Sequence, residues 1–108
     1  MAIYKKNLDD PDATEEYIHG EAEAVQVEDS VVWRSRLQPG WSWLTDVKPR
    51  NGMDFCPADH REYVVSGRIR YRMSDGSSVE AGPGDHLVIE PGHQGEVIGD
   101  QECVLIDW

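Results

Sequence analysis

From residue 21 onward the chain is divided into short segments rich in Val, Ile, Trp and Tyr, separated by Gly, Pro, Asp and Asn. This is the pattern of β-strands joined by tight turns, and no segment there has the pattern of a long amphipathic helix. The predicted strands lie at residues 22–27, 31–37, 41–47, 60–67, 68–73, 77–81, 87–90, 96–98 and 103–108. Roughly nine short strands at this spacing predict an all-β fold, with a jelly roll, an immunoglobulin-like sandwich and a small closed barrel all open.

The clearest local prediction is a hairpin around residue 75. Ile69, Tyr71 and Met73 alternate with three arginines, so an apolar face lies opposite a basic one. Asp75-Gly76 follows, a dipeptide typical of a two-residue hairpin turn because both positions tolerate positive φ. We expect the arginines at positions 68, 70 and 72 to form a solvated stripe paired with acids, although they could also line an anion-binding cavity.

The first 20 residues differ in character from the rest. They are polar and charged, and Asp10-Pro11-Asp12 interrupts regular structure. We therefore predict an irregular acidic arm over residues 1–20 and a single domain over residues 21–108, since 108 residues suffice for one core.

Charge and cysteine content narrow the classes of partner and location. The net charge of -11 argues against nucleic acid and anionic membranes as partners. The sequence shows neither a secretory signal nor a membrane-length apolar run, so a cytoplasmic location is expected. In that compartment Cys56 and Cys103 are expected to be reduced thiols rather than a disulfide.

Two stretches, residues 54–67 and 82–93, together resemble the cupin family. Its first motif reads H-x-H, three or four residues, E, six residues, G. Gly67 matches the glycine, His60 stands at the glutamate position, and Cys56 and Asp54 stand at the two histidine positions.

The second cupin motif reads G, five residues, P-x-G, two residues, H. Gly84 and Gly92 match its glycines, Gly95 stands at the histidine position, and His93 lies two residues earlier. Trp41-Ser42-Trp43 and the Cys56-x-x-x-His60 pair are also similar to those of short single-domain bacterial cupins of unassigned function. The resemblance implies a cupin-type double-stranded β-helix, or jelly-roll barrel, with a small-molecule cavity and a homodimeric assembly.

Four residues form a candidate metal site within such a barrel. From their spacing we expect Asp54 and Cys56 on one strand face, His60 after a turn and His93 across the barrel. A thiolate, two imidazoles and a carboxylate suit a divalent cation, with zinc favoured by the sulfur and iron, nickel or copper also compatible. A metal-free cavity, with Cys56 as a small buried residue and His60 as a hydrogen-bonded one, fits the sequence equally well.

Other reactive residues receive less specific predictions. Glu62 shares the face of His60 by alternation and is a candidate general base or extra ligand, although a solvated glutamate is the simpler interpretation. We expect His86 at the surface and Cys103 in the core, and we assign His19 no role. The four tryptophans are expected in the core or a dimer interface first and in a cavity lining second.

Two functions are compatible with these residues. The first is a small-molecule-binding cupin that works as a metal-dependent enzyme on a small organic acid or sugar-like substrate, with the metal as Lewis acid or oxygen-activating centre. The second is a metal-free ligand-binding or sensing module without catalysis, because a fold does not determine a function.

Overall fold

The computed structural model describes residues 2–108, which contain nine antiparallel β-strands. The strands are β1 Ala13–Tyr17, β2 Gly20–Val27, β3 Ser30–Leu37, β4 His60–Ser66, β5 Ile69–Met73, β6 Ser78–Ala81, β7 His86–Ile89, β8 His93–Val97 and β9 Cys103–Asp107. A single π-helical turn at Trp43–Val47 leads into the short helix α1 at Lys48–Asn51. Within residues 2–108, no helix has the length and apolar character needed to cross a membrane.

The strands form two sheets around one core. The larger sheet has the order β1-β2-β3-β9-β4-β7 and the smaller one has the order β6-β5-β8. Inward-facing residues of both sheets pack together between them, and apolar burial of this kind supplies most of the stabilising free energy. The buried cluster consists of Leu37, Trp41, Val64, Ile69, Ala81, Cys103 and Leu105. This architecture confirms the predicted all-β jelly-roll class.

The sequence predicted an irregular acidic arm over residues 1–20, but part of this segment is a regular strand. Ala13–Tyr17 forms strand β1, which pairs along β2 in antiparallel register, with Ala13 opposite Ala24 and Tyr17 opposite Gly20. The carboxylate of Asp12 accepts a hydrogen bond from the backbone N–H of Gln26, 2.8 Å away, and so fixes the start of this strand. Backbone pairing at an open sheet edge outweighs the weak strand propensity of an acidic sequence.

The predicted strand at residues 41–47 is also wrong over most of its length. Only Ser42 forms a bridge to the smaller sheet, and Trp43–Val47 turns instead. The cause is a set of local hydrogen bonds. The Ser42 hydroxyl oxygen accepts from the backbone N–H of Thr45. The buried Asp46 carboxylate accepts from the Thr45 hydroxyl at 2.6 Å and from the backbone N–H of His19 at 2.8 Å. Such side-chain bonds compete with a strand ladder.

The hairpin between β5 and β6 is confirmed, with a loop longer than two residues. Met73 N–H donates to the Ser77 carbonyl, and Gly76 adopts a φ of 91°, which favours glycine. The arginine stripe, Arg70 and the exposed Arg72 on β5 with Arg68 just before it, faces outward. Arg68 and Arg70 both pair with Glu80, and Arg70 also pairs with Glu96. The stripe therefore belongs to the acid-paired outer surface that the sequence predicted, and the cavity lies on the opposite face.

Gly67, the glycine of the first motif, connects the two sheets at a point where no side chain fits. Its φ is 73°, and a Cβ atom there would lie 2.3 Å from the Glu102 carbonyl oxygen. Glycine is therefore required at this position for the chain to pass from β4 to β5 beside the backbone before β9.

Candidate functional site

The barrel encloses a cavity of about 460 Å³ that both sheets and the turn after β3 line. This volume lies in the range of sites for small organic molecules. The reactive residues of the cavity lie on β4, β8, β9 and the segment before β4. They are Cys56, His60, Glu62, His93 and Asp107.

Backbone pairing places Cys56 directly against His93. The Cys56 N–H donates to the His93 carbonyl at 2.7 Å, and the Gly92 N–H donates to the Cys56 carbonyl at 2.8 Å, which makes an isolated antiparallel bridge. Both residues are buried. The bridge explains how a cysteine outside any regular strand is held against the start of β8.

His60 is held between a thiol and a carboxylate. Its Nε2 lies 3.5 Å from Cys56 Sγ and its Nδ1 lies 2.7 Å from Asp107 Oδ2. The Asp107 hydrogen bond is the main reason that the pKa of His60 is raised to about 9, since a partly buried carboxylate stabilises the imidazolium. Without a metal, His60 therefore carries a proton on each ring nitrogen at neutral pH.

His93 is oriented from its other side by a backbone carbonyl. Its Nδ1 lies 2.7 Å from the Glu90 carbonyl oxygen, which can only accept, so Nδ1 carries the proton and Nε2 is left with a lone pair. Burial lowers the pKa of His93, so the ring is neutral at physiological pH. Its ring meets those of His60 and Tyr71 edge to face, with centroids 4.9 and 5.8 Å away.

Glu62 lies two residues after His60 on β4, on the same face, and is buried, not solvated. The Tyr71 hydroxyl donates to its carboxylate, and Asp107 is its direct neighbour across the β4–β9 ladder. Burial is the main reason that the pKa of Glu62 is raised to about 7. A carboxyl group with such a pKa can both accept and return a proton near neutral pH.

Gly95 makes room for this arrangement. A Cβ atom at Gly95 would lie 2.9 Å from Cε1 of Tyr71, its partner across the β5–β8 ladder. The Tyr71 ring therefore packs over the position where the second cupin motif has its histidine. The exchange supplies a buried hydroxyl beside Glu62 in place of a third imidazole.

The donor atoms of three cavity residues lie close enough together to be candidate ligands of one cation. Cys56, His60 and His93 each offer one ligand atom, all within 4.8 Å of one another, and His60, Glu62 and Asp107 form a second such group. Two ligands of one tetrahedral zinc ion, a sulfur at about 2.3 Å and a nitrogen at about 2.0 Å, lie about 3.5 Å apart. The Cys56–His60 separation of 3.5 Å equals that value.

Asp54 does not join this group. Its side chain is 64% exposed and forms an ion pair with Lys48 at 2.5 Å. The two-residue spacing from Cys56 does not bring both side chains to one face, because residues 52–55 are not in a strand. The prediction of Asp54 as a further ligand is therefore at odds with its position in the structure.

The remaining histidines and Cys103 offer no ligand atom to the cavity cluster, although His86 Nδ1 lies 2.9 Å from the backbone carbonyl oxygen of Glu62. His86 is exposed and stacks on Trp108, and His19 binds the buried Asp46 carboxylate at 3.0 Å. Cys103 is fully buried in the core, and burial raises its pKa to about 12. Both cysteines are free thiols.

Sequence reasoning missed Asp107 and Tyr71 as members of the site. Asp107 alternates with the core residues Cys103 and Leu105 on β9, and this alternation points it inward. That signal was readable from the sequence. The contact of Asp107 with His60 was not, because it depends on the pairing of β9 with β4 across the larger sheet.

Comparisons with solved structures place this architecture among known folds. The polyketide cyclase RemF from Streptomyces resistomycificus is 19% identical, with a TM-score of 0.66, and the match covers 98% of this chain and 78% of that one. A variant of Streptomyces PAC13 with uridine is 21% identical, with a TM-score of 0.63, and the match covers 99% and 82%. A variant of Bacillus subtilis oxalate decarboxylase is 18% identical with a TM-score of 0.61, and this chain spans only 27% of its length.

These likenesses show the fold alone, because the identities are low. The sequence matches no protein-family model, and no curated protein is significantly similar to it. The chemistry of this chain has to be argued from its own residues.

Proposed function

We propose that this chain, which has the cupin fold predicted from its sequence, is a metal-dependent enzyme that acts on a small organic molecule inside the barrel. The observation that carries the proposal is the orientation of the two histidines. Each has its Nδ1 on an oxygen acceptor, the Asp107 carboxylate or the Glu90 carbonyl. Metal-binding histidines are held in this way in proteins, with the other ring nitrogen free for the cation.

Cys56, His60 and His93 are the proposed ligands. One thiolate and two imidazoles favour zinc over harder cations, and iron, nickel or copper are compatible with the same donors. Three protein ligands leave a position open to the cavity, as in catalytic metal sites. A cation bound there would supply a Lewis acid beside the substrate.

The residues around the proposed ligands have separable tasks. Asp107 positions the His60 ring and favours its protonation, so His60 must lose its Nε2 proton before it can bind a cation. Glu62 can take a proton from the substrate or return one, since its pKa is about 7. Tyr71 positions the Glu62 carboxylate by donating its hydroxyl hydrogen.

Known neighbours support an enzyme that handles small ring compounds. RemF is named a polyketide cyclase, and the PAC13 structure holds uridine. Both match nearly the whole of this chain and most of their own. Because identity is about a fifth, this support extends to the kind of cavity and not to a particular reaction.

Metal analysis of the purified protein tests the proposal. We expect about one divalent cation per chain after purification without chelator, and loss of most of it in Cys56→Ser and in His93→Ala. His86→Ala is the matched control, because that exposed histidine meets the cluster only at the backbone carbonyl of Glu62 and offers it no ligand atom, so its loss should leave the metal content unchanged. A folded wild-type protein that neither retains nor takes up Zn²⁺ contradicts the proposal.

A second candidate function is metal-free binding or sensing of a small molecule. The observation that favours it is that the cluster is already hydrogen-bonded: His60 meets Cys56 and Asp107, and Glu62 meets Tyr71. Under this alternative, ligand affinity is the same before and after chelator treatment and no turnover occurs. Under the leading proposal, chelation abolishes turnover and zinc restores it.

The homodimer predicted from the cupin resemblance is also retained as a proposal. The outer face of the larger sheet carries exposed apolar residues, Tyr63, Val65 and Val88, with Trp108 beside them. Exposed apolar surface of this kind is typical of an interface. Light scattering coupled to size exclusion should give twice the chain mass, and Val88→Glu should reduce it to that of a monomer.

The cytoplasm is the proposed location.

A further inference from the structure

The carboxylates that line the cavity come in two pairs. Glu15 and Asp59 are exposed at its rim, whereas Glu62 and Asp107 lie inside. Within residues 2–108, neither a lysine nor an arginine lines the cavity. The site is therefore acidic in a chain that already has a net charge of -11.

Two cations near the lining do not reverse this sign: the protonated His60 of the metal-free protein, whose charge is met by Asp107, and Arg50 beside the rim. Arg50 lies over the Tyr17 ring, 5.2 Å from its centroid, and its guanidinium is 3.7 Å from the Glu15 carboxylate. It also donates to the Glu16 carbonyl. The charge of Arg50 thus offsets only that of Glu15, one of the two rim acids.

A divalent cation bound to the cluster does not reverse the negative charge of the cavity either. Two positive charges at Cys56 would be met by the thiolate itself, by Asp59 and by Asp107, with His60 neutral as a ligand and Glu62 partly ionised at neutral pH. The cavity therefore stays acidic with or without the metal, and an anionic ligand would enter against the field of the site and of the whole chain.

Flat aromatic surfaces form much of the remaining lining. Trp33, Trp41, Trp43, Tyr17 and Tyr71 all contribute to it. The Trp43 ring is fixed because its Nε1–H donates to the Met53 carbonyl at 2.8 Å, and Trp41 is fixed edge to face on Tyr17 with centroids 6.1 Å apart. Rigid aromatic walls favour planar rings, and their faces also attract cations.

From these observations we infer that the cavity selects non-anionic aromatic molecules that carry hydroxyl or amino groups, and rejects carboxylates and phosphates. The hydroxyl and amino hydrogens are the donors that the carboxylate-rich lining can accept. This inference rests on the proposed function, in that it names the substrate class of the same site. It departs from the small organic acid that the sequence had suggested.

Three probes with one phenol ring and different charge test the inference: uncharged tyrosol, cationic tyramine and anionic para-hydroxyphenylacetate. Inositol serves as an uncharged polyol without an aromatic ring. Binding is followed by NMR titration of the tryptophan indole N–H signals, in chelator-treated protein and again after loading with Zn²⁺. We expect tyrosol and tyramine to bind at least about tenfold more tightly than the carboxylate in both forms, and inositol to bind more weakly than tyrosol.

A pair of variants separates the cavity from the overall charge. Asp59→Asn should narrow the difference between tyrosol and para-hydroxyphenylacetate severalfold, because it removes a negative charge at the rim. Asp100→Asn removes the same charge from an exposed position outside the lining and should leave the difference unchanged. Equal effects of both variants would refute a local selection.

The inference is overturned if the carboxylate binds as tightly as tyrosol, if inositol binds more tightly, or if none of the aromatic probes shifts an indole signal at millimolar concentration. These outcomes are distinguishable from failure of the proposed function. If no metal binds but the order of affinities holds, the substrate class stands and the metal chemistry falls. If metal binds and the order is reversed, only the substrate class falls.

Discussion

The substitution Asp107→Asn changes one charge beside His60 while it keeps an oxygen that can accept from Nδ1. In the wild-type protein this carboxylate is 2.7 Å from the ring and is the largest cause of the raised His60 pKa of about 9. Loss of a close opposite charge shifts a pKa by about 1 to 3 units, so we expect the pKa of His60 to fall by about 2 units. At 1.36 kcal/mol per unit, this corresponds to about 3 kcal/mol of interaction with the imidazolium.

The assay is an NMR titration of the His60 ring signals in metal-free protein between pH 5 and about pH 10. Asp59→Asn is the matched control, since it removes a cavity carboxylate that has no hydrogen bond to His60 and should change the His60 pKa by much less. A wild-type His60 pKa near its usual 6.5 would contradict the claim that the Asp107 carboxylate raises this pKa. A raised pKa that Asp107→Asn leaves unchanged would contradict it as well.

Stability gives a second measurement of the same interaction. The folded state raises the pKa of His60 above its unfolded value, so the stabilisation is fully present below about pH 6.5 and is lost as the pH rises towards about 9. Urea unfolding of metal-free protein should therefore show a fall of the order of 2 kcal/mol over this window, once discounted for the partial exposure of the ring. In Asp107→Asn the fall should be smaller and should end at lower pH.

Three further predictions concern neighbouring residues. Because burial raises the pKa of Glu62 to about 7, ionisation of its carboxyl group destabilises the folded state increasingly from about pH 4.5 to pH 7. Glu62→Gln should therefore raise the unfolding free energy at pH 8 by the order of 2 kcal/mol in urea titrations, and it should abolish turnover. A lower stability of this variant contradicts the destabilising effect of the buried carboxylate. Zinc affinity should rise at least about tenfold per pH unit between pH 7 and 9, because His60 must lose a proton before it binds the cation. The affinity is measured by competition with a chelator of known pH dependence. An affinity that does not change with pH contradicts the role of His60 as a ligand. Gly95→Ala should lower the melting temperature, and should lower the unfolding free energy by about 1 to 3 kcal/mol, because the new methyl group meets the partly buried Tyr71 ring. An unchanged stability would show that the ring can move away.

The sequence predicted the barrel well because its signals are local. Alternation on β4 placed His60 and Glu62 on one inner face and Tyr63 outside, as observed. Gly67 was recognised within a motif, and the structure shows why no side chain fits there. Turn residues and apolar alternation act over a few positions, so a single sequence reports them directly.

The site was predictable only in part because its members meet through long-range pairing. Cys56 and His93 are joined by a bridge between segments 37 positions apart, and Asp107 reaches His60 across the β4–β9 ladder. Asp54 was misplaced because a spacing of two places side chains on one face only in a strand, and its segment is not one. The buried state of Glu62 depends likewise on Tyr71, which occupies the space above Gly95.

Anomalous scattering from a crystal of protein purified without chelator, recorded on both sides of the zinc absorption edge, tests the proposed metal site most directly. We expect one strong anomalous peak within bonding distance of Cys56 Sγ and of one ring nitrogen each of His60 and His93, about 2.0 to 2.3 Å away, at the cavity wall. The proposed metal site is contradicted if a zinc-soaked crystal shows no anomalous peak between the three side chains while the cluster is intact and His60 is still hydrogen-bonded to Cys56.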